Sequence, residues 1–382
     1  MTLSVLIAVT HLLGAGHLTR AAAIGRALAR RGHRVTLVTG GTPTPLVDMA
    51  AMAVVQLPPV RTRVGDFTTL LDANGRPIEP DHLASRRDTL LAAFAAARPD
   101  VVVTELYPFG RRVLRTEFEA LLDAADAAEL RPVILCSVRD ILAPPSRPEK
   151  AEAAHAVIAR RYRAVLVHGD EATVPLERSW PVDDALRRRL VYTGYIGPEA
   201  ALASPGTQDD GSVLVSGGSS AAALPLYRAA IEAARADAGR PWRILVGKAV
   251  GEADHGELRD AAPPNAIVER ARPDFVFLLA KAAVFVGQAG YNTVMDIVAT
   301  HARSVLVPFE QGRETEQRLR AEGLAASGLA TLLAEGDLTP TALGAAIAHA
   351  AGRPRPTFQG IALDGHDRAA QAIEALAREG RS

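Results

Sequence analysis

Residues 3–32 read LSVLIAVTHLLGAGHLTRAAAIGRALARRG. The stretch begins with an apolar run, Leu3–Val9, passes through Gly14 and Gly16, and continues into an alanine-rich run. This order of strand, glycine-rich turn and helix is typical of the first unit of a parallel α/β sheet. Such a turn places backbone N–H groups and the positive end of a helix dipole at the carboxyl edge of the sheet, where phosphates bind.

His17 follows this turn directly. Because the ordinary pKa of histidine is close to neutrality, a histidine at this edge can exchange a proton with a ligand. We therefore predict an enzyme with His17 as its catalytic residue. The helix that follows, predicted over Leu18–Arg31, is expected to end before a left-handed cap at Gly32. Its arginines are expected to point into solvent: Arg20, Arg26 and Arg30.

Length and composition narrow the class of protein. The 382 residues exceed what one hydrophobic core usually supports, so two domains are expected. The 43 basic and 43 acidic residues balance, which gives no indication of a nucleic-acid partner. The single Cys136 lies in an apolar run and is predicted to be buried without a disulfide. With no signal peptide and no apolar stretch long enough for a membrane span, we expect a cytoplasmic protein, and peripheral contact with the inner membrane face stays open.

Short β-branched runs alternate with alanine-rich runs along the whole chain, which predicts two successive α/β domains with parallel sheets. The polar stretch 204–211 separates them. We expect an N-terminal Rossmann-like domain over 1–197, a second over 211–360, and a C-terminal helix over 361–382. Predicted strands lie at Leu3–Val9, Val35–Val38, Val54–Leu57, Val101–Thr104, Val133–Cys136, Val165–Val167, Val213–Val215, Ile244–Val246, Ala266–Val268, Val284–Val286, Val305–Val307 and Ala330–Leu333. Predicted later helices lie at Ala221–Ala238, Phe275–Lys281, Val294–Ala299, Glu314–Glu322 and Asp367–Glu379.

The second half repeats the glycine-rich turn at Ser216-Gly217-Gly218-Ser219-Ser220, again between a predicted strand and a helix. A third such turn is FVGQAGYNTVMDI, residues 285–297. Its glycines let the chain approach a diphosphate closely, and the N–H groups at the following helix start can receive it. Asp296 is expected in the first turn of that helix, where it can accept both hydroxyls of a ribose.

These motifs, with the later segment Val305–Gln317, resemble the GT-B glycosyltransferases and, within them, the MurG-like branch of family 28. The resemblance implies two Rossmann-like domains facing each other across a cleft, with a C-terminal helix that returns to the first domain. It implies that His17 lies near the acceptor, that Asp296 binds the ribose, and that the turns and later polar residues hold phosphates and sugar. This chain departs from the family pattern at Gln288, where a serine or an arginine–serine pair is common, and at Glu314-Thr315-Glu316-Gln317, where paired glutamines are usual.

The expected binding residues for a nucleotide-sugar donor are Gly14, Gly16, Ser216, Gly217, Gly218, Ser219, Arg270, Gln288, Gly290, Tyr291, Asn292, Thr293, Asp296, Glu316 and Gln317. We expect no cofactor and no metal, because His11, His17 and His33 lack ligand spacing and helix dipoles can stabilise a leaving diphosphate. The cluster Arg111, Arg112 and Arg115 is read as an exposed helix face, with an anionic acceptor as its alternative.

The sequence thus predicts an inverting glycosyltransferase that moves a sugar from a UDP-type donor to a hydroxyl acceptor, either lipid-linked or a small metabolite. A nucleotide-sugar hydrolase on the same fold is one alternative. A non-catalytic sugar-nucleotide-binding subunit is another, although His17 and Asp296 argue against it. A dinucleotide oxidoreductase is disfavoured because no Gly-x-Gly-x-x-Gly with a ribose-binding acid about twenty residues later is present.

Overall fold

The structure is a computed structural model that describes residues 2–45, 47–63, 66–197, 209–218, 221–310, 315–358 and 361–380. Its strands are β1 (Ser4–Val9), β2 (Arg34–Thr39), β3 (Ala53–Gln56), β4 (Arg61–Arg63), β5 (Asp66–Leu71), β6 (Val101–Glu105), β7 (Val133–Arg139), β8 (Ala164–His168), β9 (Leu190–Tyr192), β10 (Val213–Ser216), β11 (Trp242–Val246), β12 (Ala266–Arg270), β13 (Val284–Gly287), β14 (Ser304–Leu306) and β15 (Thr331–Leu332). Its α-helices are α1 (Gly16–Arg30), α2 (Pro80–Ala97), α3 (Arg115–Ala127), α4 (Pro148–Arg161), α5 (Asp184–Arg187), α6 (Leu224–Ala236), α7 (Glu252–Asp260), α8 (Phe275–Lys281), α9 (Tyr291–Thr300), α10 (Glu316–Ala326), α11 (Pro340–Ala351) and α12 (Gly365–Glu379).

The chain divides into two compact units, as the sequence predicts. The first unit comprises Met1–Glu171, Trp180–Ile196 and Asp364–Ser382, and the second comprises Ala172–Ser179 and Gly197–Leu363. The chain therefore passes from one unit to the other four times.

The first unit contains a seven-stranded parallel sheet in the order β3-β2-β1-β6-β7-β8-β9. Every residue of β1 is buried, which explains why the N-terminal run is continuously apolar rather than alternating. The strand order reverses between β1 and β6, so the connections that leave these two neighbours diverge to opposite sides. This divergence opens a crevice at the carboxyl ends of β1 and β6, where doubly wound sheets bind ligands.

Helix α12 completes the core of the first unit. Its small and apolar residues at positions 369, 370, 373 and 377 pack with Leu28 of α1 in one buried cluster. At the helix surface, Glu374 accepts hydrogen bonds from Arg31 Nε at 2.7 Å and from His33 Nε2 at 2.7 Å. The predicted return of the C-terminal helix to the first domain is confirmed.

Helix α1 differs from the prediction in the environment of one arginine. Gly32 has φ 85°, so the predicted left-handed cap is present. Arg20, however, is buried, with only 5% of its surface exposed, so its assignment to a solvent-facing surface was wrong. The reason is that the amino-terminal end of α1 lies against the carboxyl end of β6, where Arg20 meets Glu105.

The second unit contains a six-stranded parallel sheet in the order β12-β11-β10-β13-β14-β15. Its core combines the valines of β10 and β13 with α6 and α11, including Tyr227 and Leu343. The order reverses between β10 and β13, so this sheet also opens a crevice at the carboxyl ends of its two central strands. Among the described residues, no helix is both long and apolar enough to cross a membrane.

Candidate functional site

His17 and Glu105 meet at the carboxyl edge of the first sheet. His17 lies in the first turn of α1, just after β1, and Glu105 is the last residue of β6, the neighbouring strand. The imidazole Nδ1 lies 2.8 Å from Oε1 of Glu105. The Glu105 side chain is 1% exposed, whereas that of His17 is 18% exposed. The pair therefore has a buried carboxylate beneath a histidine that remains accessible.

Nδ1 of His17 lies near two groups, the Glu105 carboxylate at 2.8 Å and Nη2 of Arg20 at 3.0 Å, and we assign its proton from the shorter contact. A carboxylate only accepts, so Nδ1–H donates to Glu105 and Nε2 keeps its lone pair. Burial lowers the pKa of His17 to about 3, and the hydrogen bond to Glu105 opposes that shift. The imidazole is therefore neutral at physiological pH. This is the arrangement in which a carboxylate orients a histidine that acts as a general base.

Two further donors converge on the Glu105 carboxylate. The guanidinium of Arg20 donates to Oε1, and the hydroxyl of Ser137, on the adjacent strand β7, donates to Oε2. These donors, together with His17, hold the pKa of Glu105 well below its usual range despite complete burial. Glu105 is consequently an ionised carboxylate at any physiological pH.

The polar network continues across the sheet. His168, at the end of β8, lies with Nε2 2.9 Å from Ser137 Oγ and Nδ1 2.8 Å from Thr193 Oγ1. Because the Ser137 hydrogen points to Glu105, Nε2 of His168 must be the donor to Ser137. Burial lowers the pKa of His168 to about 3, so this second histidine is neutral as well.

The arginines that follow β6 do not share one environment. Arg115 lies exposed on α3 and pairs with Glu119 at 2.7 Å, as expected for a helix surface. Arg112 donates to the Phe109 carbonyl at 3.1 Å. Arg111 is not on such a surface: its Nε donates to the Thr10 carbonyl at 2.6 Å, and burial lowers its pKa to about 10. The prediction of an exposed helix face was therefore wrong for Arg111, which is a partly buried cation beside Glu105.

The carboxyl edge of the second sheet brings two glycine-rich turns together. Ser216 of β10 pairs in register with Gly287 of β13. A Cβ at Gly287 would lie 2.4 Å from the Ser216 carbonyl oxygen. A Cβ at Gly217 would lie 2.0 Å from the Cβ atom of Ala223. Only glycine permits these approaches, so the turn that the sequence singled out is sterically required.

Tyr227 of α6 makes hydrogen bonds to two turns at this edge of the sheet. Its hydroxyl oxygen accepts hydrogen bonds from the amide of Gly217 at 3.1 Å and from the amide of Gly247 at 3.3 Å. The ring is fully buried, and burial raises the pKa of the hydroxyl. Tyr227 thus ties the turn after β10 to the turn after β11.

Helix α9 begins at this same edge. Gly290 is its N-cap and offers no side chain to the N–H groups of Tyr291, Asn292 and Thr293. The first turn of a helix leaves such groups without an intrahelical acceptor, which makes this end a suitable anion-binding site.

Asp296 lies in the second turn of α9, so its predicted position in the first turn was wrong. The dipole effect fades after one turn, which weakens the interpretation of Asp296 as a helix-start acid. Burial alone raises the pKa of Asp296 from 3.8 to about 6. Among the described residues, the structure gives this carboxylate no hydrogen-bonding or ion-pair partner. A half-buried carboxylate without a partner is available for a hydroxyl-bearing ligand.

The remaining predicted donor-site residues make contacts of their own. Gln317 Oε1 accepts from the Phe309 amide at 3.2 Å. Glu316 accepts from Arg320 Nη2 at 2.8 Å, and Arg320 Nη1 donates to the Ala289 carbonyl at 2.8 Å, which ties α10 to the turn before α9.

Arg270, at the end of β12, donates to the carbonyls of Gly247 and Val250 at 3.2 Å and 2.8 Å, and Gln288 is buried. Ser219, Ser220 and Glu314 lie outside the described residues.

The predicted residues therefore fall into two groups. Gly14 and Gly16 lie beside His17 in the first unit, and both positions open to free space. The other predicted residues that the structure describes lie in the second unit, on β10, β12, α9, α10 and the turns beside them.

Sequence reasoning missed Glu105, Arg20, Ser137, His168, Tyr227 and Arg320. A signal for Glu105 existed, since an acidic residue ends an otherwise apolar strand. Within the described ranges, no group of three or more His, Cys, Asp or Glu side chains is arranged so that it could hold a metal ion.

Comparison with known proteins gives a consistent set of relatives. Residues 212–360 match the glycosyltransferase family 28 C-terminal domain. The chain is 26% identical over 365 residues to UDP-N-acetylglucosamine--N-acetylmuramyl-(pentapeptide) pyrophosphoryl-undecaprenol N-acetylglucosamine transferase of Rhodospirillum centenum, covering 89% of this chain and 84% of that protein. It is 29% identical to demethyllactenocin mycarosyltransferase of Streptomyces fradiae, covering 85% and 75%. The crystal structure of MurG from Acinetobacter baumannii matches with a TM-score of 0.61 at 16% identity, covering 98% of this chain and 99% of that one, which shows a shared fold.

Proposed function

We propose that this chain, a glycosyltransferase similar to the MurG-like GT-B enzymes, transfers a sugar from a nucleoside diphosphate to a hydroxyl group with inversion at the anomeric carbon. The acceptor oxygen forms a bond to the anomeric carbon while the bond from that carbon to the diphosphate breaks. The acceptor proton passes to Nε2 of His17. The products are a glycoside and a free nucleoside diphosphate, and a single displacement inverts the configuration.

The observation that carries this proposal is the His17–Glu105 pair. Its geometry leaves Nε2 as a proton acceptor on the accessible side of the ring, 18% of which is exposed. When Nε2 takes the acceptor proton, Nδ1–H keeps its hydrogen bond to Glu105 at 2.8 Å, so the ring stays oriented toward the acceptor. A positioned base of this kind accelerates a reaction by about 10²–10⁴-fold.

The proposed donor site lies at the carboxyl edge of the second sheet. The amides at the start of α9 would receive the diphosphate, together with the turn Ser216–Gly218. Asp296 would accept hydrogen bonds from the ribose hydroxyls, which agrees with the absence of a protein partner for this carboxylate among the described residues. Glu316 and Gln317 would lie toward the sugar. As the diphosphate leaves, the helix end stabilises its growing charge.

The names of two relatives indicate which classes of donor and acceptor to test. The Rhodospirillum enzyme is named for UDP-N-acetylglucosamine and a pyrophosphoryl-undecaprenol acceptor, and the Streptomyces enzyme is named for transfer of mycarose to demethyllactenocin. For this chain we propose a UDP-sugar as donor and a hydroxyl acceptor that is either lipid-linked, reached by peripheral contact with a membrane, or a small metabolite.

The test uses the full chain with a panel of UDP-, dTDP- and GDP-sugars, each with and without a cell lipid extract and a small-molecule extract. Released nucleoside diphosphate is measured, and the product is analysed by mass spectrometry and by NMR for anomeric configuration. Release that depends on an extract supports transfer and identifies the acceptor class. Release without any acceptor would show a nucleotide-sugar hydrolase instead, and binding without release would show a binding subunit.

A further inference from the structure

Arg20 occupies an unusual position for a residue with no place in the proposed chemistry. It lies one turn after His17 on α1, and its side chain is 6% exposed. Its Nη2 donates to the same Glu105 oxygen that accepts from His17, and it lies 3.0 Å from Nδ1 of His17. The cation, the carboxylate and the imidazole therefore touch one another within a buried space.

The charges of these groups determine the state of the histidine. A buried carboxylate beside an imidazole favours the imidazolium, because an opposite charge within about 4–6 Å raises a histidine pKa by about 1–3 units. A permanently charged guanidinium on the same carboxylate oxygen cancels that attraction and also repels a proton on His17. With both present, the pair has no net charge to draw a proton onto the ring.

The other cation that acts on His17 works in the same direction as Arg20, and two further histidines are buried in the same unit. Arg111, in the connection after β6, disfavours the charged ring, and Arg139 at the end of β7 acts on Arg111 in turn. His11, after β1, is buried, with its Nε2 2.9 Å from the Thr42 carbonyl. His168 reaches Glu105 only through Ser137 and is neutral. Glu105 is therefore the one carboxylate among the described groups that draws a proton onto His17, and Arg20 is its direct counter-charge.

We propose that Arg20 is a positioning residue that neutralises Glu105 beneath His17, keeps the imidazole uncharged, and so sets the lower pH limit at which the enzyme works. This inference rests on the proposed function only for its second part, since the charge state of His17 can be measured without any substrate. Glu105 can then orient the ring through its hydrogen bond, while its charge no longer favours the protonated imidazolium in the resting enzyme.

Ser137 supports the same state without adding charge. Its hydrogen bond to Glu105 Oε2 withdraws electron density from the carboxylate, and His168 and Thr193 hold the hydroxyl in that direction. Loss of the Ser137 hydroxyl makes the carboxylate more basic. It should therefore raise the pKa of His17 by less than the loss of Arg20 does, but with the same sign.

The experiment measures the titration of His17 directly. The ¹³Cε1–¹H resonances of the histidines are followed by NMR from about pH 2.5 to 8 in the full chain, so that the wild-type midpoint falls within the titration, and His17 is assigned by the signal that disappears in His17→Gln. In the wild type we expect His17 to stay neutral over most of this range. In Arg20→Gln its midpoint should rise by about 1–3 pH units, in Ser137→Ala by less, and in Arg20→Lys it should stay near that of the wild type. Arg30→Gln on the same helix, where the side chain is 49% exposed, is the matched control and should change nothing.

A folded Arg20→Gln variant whose His17 midpoint equals that of the wild type would overturn the proposal. If burial of an unpaired Glu105 prevents this variant from folding, Arg20→Gln combined with Glu105→Gln removes both charges. Cancellation then predicts a wild-type midpoint, and a shift of more than about one unit would refute it. Once transfer is assayed, the acid limb of kcat/KM should move with the NMR midpoint while the donor KM stays constant. Absence of any transfer by the wild type would count against the proposed function alone.

Discussion

Replacing Asp296 with asparagine should stabilise the protein and weaken its hold on nucleotide at the same time. Asp296 lies on the largely buried helix α9, and among the described residues the structure provides no donor for its carboxyl. Burial accordingly raises its pKa from 3.8 to about 6. An ionised group in such a place has an unfavourable free energy until a ligand donates hydrogen bonds to it.

The stability effect follows from this pKa difference. The folded state binds the Asp296 proton more tightly than the unfolded state, so its contribution to stability declines as pH rises from about 4 to about 6. A pKa difference of roughly two units corresponds to about 3 kcal/mol of unfolding free energy. Because water reaches part of the carboxyl, we expect a destabilisation of about 1–3 kcal/mol. At pH 7.5, Asp296→Asn should therefore unfold with a free energy greater than the wild type by that amount. At pH 4 the two proteins should be nearly equal.

The binding effect has the opposite sign. Hydrogen bonds to a charged acceptor contribute about 1.5–3 kcal/mol, so the Kd for UDP should rise by about 10–150-fold. In the wild type, lowering the pH from 8 to 5 leaves about a tenth of the carboxyl ionised and should weaken binding by about tenfold. Phosphate ionisation of UDP affects wild type and variant equally, so the ratio of their Kd values isolates the carboxyl.

The assays are urea unfolding at pH 4 and pH 7.5 and calorimetric titration of UDP at pH 5 and pH 8. Glu257→Gln, an exposed carboxylate of α7 in the same unit, is the matched control and should alter neither quantity. An Asp296→Asn variant that binds UDP as tightly as the wild type would refute the ribose assignment. A variant that is not more stable at pH 7.5 would refute the reasoning from burial.

Three further predictions concern other residues. His17→Ala should lower turnover by about 10²–10⁴-fold while UDP affinity stays unchanged in the same titration; retention of full activity would remove His17 from the mechanism. Tyr227→Phe leaves the buried amides of Gly217 and Gly247 without their acceptor, so it should lower the unfolding free energy by about 1–3 kcal/mol for each group and weaken UDP binding, and wild-type stability in urea would contradict this. Glu374→Gln should destabilise the first unit by about 1–2 kcal/mol at pH 7. Because Arg31 and His33 hold the pKa of Glu374 at about 2, that difference between variant and wild type should shrink as pH falls from about 4.5 toward 2, and a difference independent of pH would exclude the ion pair as its cause.

Much of the sheet architecture could be predicted from the sequence because buried parallel strands are continuous apolar runs. The runs at Val101, Val133 and Val284 all became central strands with boundaries close to the predicted ones. The hairpin of β4 and β5 was not predicted, since Arg61–Arg63 is a short polar strand without the apolar run that identified the strands of the parallel sheets. The first turn of α9 was misplaced because the predicted helix began at Val294, whereas Gly290 is the cap.

The site was predictable where glycine or a helix start carries the signal, and not where long-range contacts decide. Gly217 and Gly287 could be singled out because no other residue fits those approaches. The role of Glu105 could not, because its three donors, two on α1 and one on β7, are separated from it by up to 88 residues along the chain. Arg20 was misassigned for the same reason: helical periodicity alone does not show that a helix is covered at its amino-terminal end.

The four passages of the chain between the units constrain the order in which this protein can fold during synthesis. The second unit ends at Leu363, so all of its residues leave the ribosome before α12 is complete. The seven strands of the first unit's parallel sheet, by contrast, are all synthesised by Tyr192. The helix that covers α1 is completed only nearly two hundred residues later. During that interval Leu28 and the apolar residues around it are exposed on a nascent chain. The first domain to be translated is therefore the last to be completed. We expect chaperones to bind the uncovered apolar face of α1 during this interval.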